Sequence, residues 1–285
     1  MKKLISLTVL ALVMTTSVWA QQMNVSVSKE TNKSSQSEII ATTPFVCGES
    51  KVADYDGNSY NTVQIGKQCW MKENLKTTHY SDGTPIEATT DMNFDSYYRY
   101  SPNLNPNLVA TYGFLYNWTA VTRDKYATSA LNPSGIQGIC PTGWHVPSDD
   151  EWTELTDYLS GNSQYTCDTK SQYLSLEMTK KYIAKALAAQ TGWRSCGNKC
   201  TIGCKLEEND ASGFSALPAG QYTGFENFDN FSEMASFWTC TRQDNVAAFY
   251  RTLRFNEEFV SGTGGIDGSG YTSKKNGLSV RCVKD

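Results

Sequence analysis

Ile139-Cys-Pro-Thr-Gly-Trp-His-Val-Pro-Ser-Asp-Asp-Glu-Trp152 reads as a short buried strand handed directly to a capped helix. Trp144-His145-Val146 is the strand-like part, and there His145 is expected to be packed and hydrogen-bonded rather than catalytic. Pro147 stops the strand, and Ser148-Asp-Asp-Glu151 forms a capping box whose acids suit the positive end of a helix dipole. Trp152, Leu155 and Leu159 then recur at spacings of three and four as a core-facing stripe, and Gly161 ends the helix.

Outward from this stretch the chain divides into strands and one further helix. Downstream, residues 176–190 read as a second helix with Ile183, Ala184 and Leu187 on one side and Gly192 as its stop. Upstream, Asp56-Gly57-Asn58 is a tight-turn signal between two extended runs, and Gly66-Lys67-Gln68 turns the chain into Cys69-Trp70-Met71. After Gly213 strand patterns return in Phe214-Ser-Ala-Leu217, Phe237-Trp-Thr239, Ala247-Ala-Phe-Tyr-Arg-Thr-Leu253 and Leu278-Ser-Val-Arg-Cys282. Two helices set among irregular strands mean an α+β fold, not alternating βαβ units.

The N-terminal end carries an export signal. Lys2 and Lys3 precede an apolar run from Leu4 to Val13, and Val18-Trp-Ala20 offers a signal-peptidase site, so residues 1–20 read as a signal peptide. Residues 21–44 are polar enough to be a disordered stalk, which leaves 45–285 as the domain. No span in the mature chain approaches the length needed to cross a membrane. Cleavage removes two lysines and no acids, moving the formal charge from −4 to −6, which argues against nucleic acid as a partner. All nine cysteines lie in the exported part, where an oxidising compartment turns thiols into cross-links. The expected location is therefore the cell surface, the extracellular space or the periplasm.

Catalytic chemistry has little to stand on. The two histidines, His79 and His145, sit in no metal-ligand pattern and beside no recognisable nucleophile. Cys196-x3-Cys200-x3-Cys204 could be a thiolate metal cluster, but export favours disulfides, with Cys167 as the additional partner for one of the trio. Asp149, Asp150 and Glu151 are explained as a helix first turn rather than as paired catalytic carboxylates. Asp229, Asn230, Glu233, Asp244 and Asn245 could give oxygen ligands to calcium, although no EF-hand spacing supports that. No cofactor and no metal is expected.

A set of ordered motifs resembles a known family. These are Val63-Gln-Ile-Gly-Lys-Gln-Cys-Trp-Met-Lys-Glu-Asn-Leu75, Tyr112-Gly-Phe-Leu-Tyr-Asn-Trp118, the 139–152 stretch, Gly213-Phe-Ser-Ala-Leu-Pro-Ala-Gly220, Phe237-Trp238 and Ser279-Val-Arg-Cys-Val-Lys-Asp285. Together they closely resemble the Fibrobacter succinogenes major paralogous domain from about Cys47 to the last residue. The resemblance implies an exported or surface protein with a C-type lectin-like fold, similar also to formylglycine-generating enzymes. That fold is expected to have small antiparallel sheets, two flanking helices, long loops on one face and disulfide staples. It further implies the pairs Cys140 with Cys282 and Cys47 with Cys69. The sugar-binding tripeptides of calcium-dependent lectins are missing, and so is the reactive cysteine pair of the formylglycine-generating group. Cys240 stands where that family pattern would carry a small residue such as serine, and it reads as an unpaired or insert-linked cysteine.

The expected function is recognition of a glycan or a surface protein through loops at about 92–107, 221–236 and 255–272. Aromatic side chains there supply flat apolar area and amides supply adaptable hydrogen bonds. The candidate ligand-binding residues are Tyr222, Phe225, Asp229, Asn230, Trp238, Asp244, Asn245, Tyr250 and Arg251, with Tyr97, Tyr98, Tyr100, Phe228 and Phe231 as further loop rings. The alternatives are a structural subunit of a surface appendage and a thiol-dependent or glycan-acting enzyme.

Overall fold

Short local hairpins are tied into one domain here by strands and bridges from distant parts of the chain. The computed structural model describes residues 44–89, 96–123, 134–167, 182–224, 227–262 and 270–285. The expected signal peptide and the expected stalk, up to residue 43, lie outside the described residues.

Two hairpins open the domain. Strands β1 (Val52–Ala53) and β2 (Ser59–Tyr60) pair across Gly57, whose φ of +80° the turn requires. Strands β3 (Thr62–Ile65) and β4 (Gln68–Met71) pair across Gly66. A second small sheet joins β5 (Glu87–Ala88), β6 (Tyr98–Tyr100) and β7 (Leu115–Tyr116), with β5 parallel to β6. The one-turn helix α1 (Val109–Tyr112) precedes β7 and the short helix α2 (Trp118–Thr122) follows it. Next come β8 (Trp144–His145) and the longest described helix, α3 (Asp149–Ser160), then the single turn α4 (Ala184–Leu187). The remaining strands are β9 (Gln221–Gly224), β10 (Asn227–Asp229), β11 (Met234–Arg242), β12 (Ala247–Arg254), β13 (Tyr271–Ser273) and β14 (Val283–Lys284). The result is a mixed α+β domain whose small sheets are mostly antiparallel.

The last strand closes the domain. β14 inserts between β4 and β8 in a sheet of order β3-β4-β14-β8, with Val283 opposite both Trp70 and His145. Met71 N donates to Cys282 O at 3.1 Å and Leu75 N to Val280 O at 2.9 Å, extending the closure on the N-terminal side. Residues 69–71, 235–240 and 282–283 alternate between two cores. Cys69, Met71, Trp238, Cys240 and Cys282 face one, while Trp70, Ala235, Phe237 and Val283 face the other. The second core takes the α3 stripe of Trp152, Leu155 and Leu159, with the Trp152 ring 5.0 Å from Trp70 and 5.5 Å from Phe237.

Disulfides join Cys47 to Cys69, Cys140 to Cys282 and Cys167 to Cys200. Such bonds fit an oxidising, extracellular-type compartment. No helix among the described residues is long and apolar enough to cross a membrane. Cys196 and Cys204, read above as bridged, are not linked in the structure, and Cys240 is a buried thiol.

Three elements differ from their expected form. Residues 176–181 of the expected second helix lie outside the described residues, and the described part is helical only over Ala184–Leu187. It ends at Ala188 because that residue turns extended and bridges Ala216, while Ala189 N donates to Ala216 O at 2.8 Å. Residues 214–217 and 278–282 make isolated bridges instead of strands. Residues 278–282 spread their backbone bonds over Tyr116, Trp238, Leu75 and Met71, while at 214–215 the buried Arg281 guanidinium donates to the carbonyls of Phe214 and Ser215 and lies 4.4 Å from the Phe214 ring centroid. Side-chain donors thereby satisfy carbonyls that a ladder would otherwise take.

His145 is packed and hydrogen-bonded, as its sequence context suggests. Its Nδ1 lies 2.6 Å from Asp285 Oδ1 and its Nε2 2.8 Å from Glu151 Oε1. Glu151 also accepts from Ser148 N at 2.8 Å, so one carboxylate caps α3 and pairs with the imidazole. Burial alone would push the His145 pKa down, yet the two carboxylates raise it above its ordinary 6.5. Burial likewise opposes ionisation of Glu151, but His145 and the Ser148 amide hold that carboxyl at about 2. The histidine contribution to stability is therefore full below pH 6.5 and is lost as pH rises through the raised folded value. The Glu151 contribution is present above its ordinary 4.5 and is lost as pH falls toward about 2. The stability lost in His145→Gln, measured by urea unfolding, should be largest near pH 5.5 and should shrink by pH 9; a loss that grows toward pH 9 would contradict the pairing.

Candidate functional site

The loops after β6 and around β10 meet on one face. Pro102-Asn-Leu104 and Pro106-Asn-Leu108 are two copies of one tripeptide, each starting a 3-10 turn at a proline, where the missing N–H costs nothing. Between them Asn105 accepts from Asn107 N at 3.1 Å, a side-chain turn that locks the second copy. The first turn packs against β10.

Beneath this face lies a small cluster of Tyr100, Leu115, Ala219 and Tyr222, with Tyr98, Tyr112 and Phe228 half-buried against it. The Tyr100 and Tyr222 ring centroids are 4.1 Å apart, Tyr222 and Phe228 5.2 Å, and Tyr112 and Phe231 5.0 Å. In the same segments Asn103, Asn105, Asn107 and Asn227 are exposed and Asp229 and Asn230 half-buried. Asp229 Oδ2 accepts from Thr223 Oγ1 at 2.7 Å, which fixes its carboxylate across the β9–β10 pair. The segments combine half-buried rings with exposed amides, a mixture suited to a polar ligand with a flat apolar side.

The backbone of this face is unusual. Asn103 and Leu104 hold φ of +50° and +52°, and Asn230 and Ser232 hold +60° and +65°. An L-residue in the left-handed region carries a cost of roughly 1–2 kcal/mol, and only asparagine among these four tolerates it readily. Leu104 is also 45% exposed, so burial does not repay its conformation. Such outliers cluster at functional sites when the surrounding structure holds them in place.

The structure sorts the candidate residues into separate groups. Asp229 and Asn230 belong to the face. Tyr222 lies beneath it at 0% exposure and supports Phe228 instead of meeting ligand. Trp238, also at 0%, is a core residue whose Nε1 donates to Tyr116 O at 2.7 Å. Arg251 is buried, and its guanidinium binds Asp149 and the Thr153 hydroxyl, bracing the first turns of α3. These three are therefore corrected from ligand-binding to structural roles. Tyr250 is half-buried against the first core, opposite Trp238. Phe225 lies outside the described residues, as do 92–95 and 263–269 of the expected loops. Asp244 and Asn245 sit in the β11–β12 turn, where Asp244 accepts from Val246 N and Ala247 N, both at 2.8 Å. Those backbone bonds hold the Asp244 carboxyl below its ordinary range. β11 alone spans nine residues, roughly 25 Å at strand rise, so Asp229 and Asp244 cannot share one cation. Among the described residues no group of three or more His, Cys, Asp or Glu is placed to hold a metal ion.

Sequence reading missed the repeated Pro-Asn-Leu turns, although the repeat itself was the available signal. It also missed a groove of about 740 Å³ between the β3–β4 turn and α3, lined by Gly66, Lys67, Asp150, Glu154, Asp157 and Tyr158 among others. Its acids are the solvent side of the α3 pattern and carried no separate signature.

The family model of the Fibrobacter succinogenes major domain matches residues 63–284. The chain belongs to this family. No curated protein and no solved structure matches it. The Fibrobacter succinogenes major domain begins here in β3 and ends in β14, so the matched segment holds every strand of the closing sheet. Within this domain the aromatic face is carried by β6, β9, β10 and the turns beside them, none of which belongs to the closing sheet.

Leu104→Gly tests whether the face stores conformational cost. Removing the left-handed penalty, roughly 1–2 kcal/mol, outweighs the extra unfolded-state freedom of glycine, about 0.5–1 kcal/mol. Urea unfolding should therefore show unchanged stability or a gain of up to about 1 kcal/mol. A loss of that size would show that side-chain packing, not local strain, governs the turn.

Proposed function

We propose that this domain is an exported recognition module of C-type lectin-like fold that binds a glycan through the face formed by residues 98–112 and 227–232. The carrying observation is the convergence of half-exposed Tyr98, Tyr112, Phe228 and Phe231 with five asparagines on a backbone that holds four non-glycine residues left-handed. Ring faces would stack on the apolar side of a sugar while amides and Asp229 bond its hydroxyls. The lectin-like reading draws on the joining of N-terminal and C-terminal strands in one sheet, with the Cys140–Cys282 bond beside it. Export draws on the signal sequence and on the disulfides. A thiol-dependent enzyme is disfavoured at Cys240, where burial pushes the thiol pKa up and away from thiolate chemistry.

Glycan-array screening of the mature protein, followed by titration of the best hit, tests this reading. Tyr98→Ala with Phe228→Ala should weaken binding at least about tenfold, the loss of roughly 1.4 kcal/mol. Tyr158→Ala, in the groove beside α3, should leave it unchanged. Binding that survives the first pair and is lost with Tyr158→Ala would move the site to the groove; capture of a protein and no glycan would replace the ligand class.

A further inference from the structure

Cys196 and Cys204 remain as thiols beside an existing cross-link, and the backbone brings them together. Cys196 N donates to Gly203 O at 2.9 Å. A Cβ placed on Gly203 would fall 2.9 Å from Cys196 Cβ, so the Cys196 side chain lies toward the residue just before Cys204. The hydrogen bond also bounds the pair. A donor nitrogen is about 1.5 Å from its own Cα, and in a planar trans peptide a carbonyl oxygen is about 2.8 Å from the next Cα. With the 2.9 Å bond between them, Cα196 and Cα204 can be no more than about 7 Å apart even if the three vectors were collinear. That bound lies at the upper edge of the about 4.4–6.8 Å range that a disulfide spans, and a modest bend at the hydrogen bond brings the pair inside it.

We propose that Cys196 and Cys204 close a fourth disulfide, a covalent modification site in the segment that Cys167–Cys200 already clamps. Both side chains are half-buried and so open to an oxidant, whereas Cys200 is 2% exposed and already bonded. The oxidant is the disulfide of an external thiol oxidase. One cysteine thiolate attacks it, forming a mixed disulfide and expelling a thiolate; the second cysteine thiolate attacks the mixed bond, closing Cys196–Cys204 and expelling the other. Two cysteine thiols are oxidised, their two protons pass to the expelled thiolates, and one external disulfide is thereby reduced to two thiols.

The bridge would fix more than itself. Arg194 N donates to Ser232 O at 2.7 Å and Gly203 N to Phe255 O at 2.7 Å, so the same segment anchors left-handed Ser232 and the chain just after β12. It also settles the odd cysteine count: of nine cysteines, buried Cys240 alone stays reduced.

Alkylation of the native full chain, then of the unfolded chain without reductant, followed by peptide mapping, tests this. The expected result is one modifiable cysteine, Cys240, reached only after unfolding, and a 195–199 tryptic peptide bonded to Cys204. Fragmentation between Cys200 and Cys204 assigns the sulfur. Alkylation of both Cys196 and Cys204, a bond from Cys196 to Cys167 or Cys200, or zinc retained by four unlinked cysteines would each overturn the proposal.

Discussion

The structure depends on the insertion of the final strand between β4 and β8. β14 is only two residues long, yet it pairs on one side with Trp70, 213 residues before Val283, and on the other with His145, 138 residues before it. Strands this short do not persist alone in water. They persist here because Trp70, Val283 and the α3 stripe bury large apolar surface together, and because Cys140–Cys282 limits how far the last strand can stray. Asp285 adds a polar tie at the very end, through His145 and, from its backbone N–H, to Gly143 O at 3.2 Å.

From this closure follows the two-core layout. Strand side chains alternate in direction, so a strand with core on both sides must be apolar, or polar with its hydroxyls hydrogen-bonded as in Ser236, Thr239 and Thr241, at every position. β11 meets that demand with buried residues from Met234 to Thr241. The closing sheet and β11 form a frame that can hold loops in costly conformations. Gly220 illustrates the tightness: with φ of +69°, any Cβ there would meet Asp229 O at 2.5 Å, so the loop bearing Asp229 approaches the frame as closely as backbone allows.

The elements with local chemical signatures were legible in the sequence. Ser148 and Glu151 cap α3 as their spacing implies, Gly57 and Gly66 place the hairpin turns, and the family resemblance points to the Cys47–Cys69 and Cys140–Cys282 bonds. What failed was burial. Trp238 and Tyr222 lie next to polar loop sequence, and nothing local says that a second core covers them. Arg251 and Arg281 look like surface cations, yet each is buried because its guanidinium satisfies groups distant in sequence, near Asp149 and Phe214. The face itself was half legible: its loops and Asp229 were recognised, but Asn103, Leu104 and Asn107 gained meaning only once their turns were seen against β10.

Hydrogen exchange across the whole chain tests the central claim most directly. If the C-terminal strand is the keystone, the amides of Trp70, Met71, Trp238 and Val283 should share the slowest exchange and open together only with global unfolding. Exchange at Val283 that runs far ahead of β11 and α3 would show that the domain stands without its closing strand, and would contradict this account.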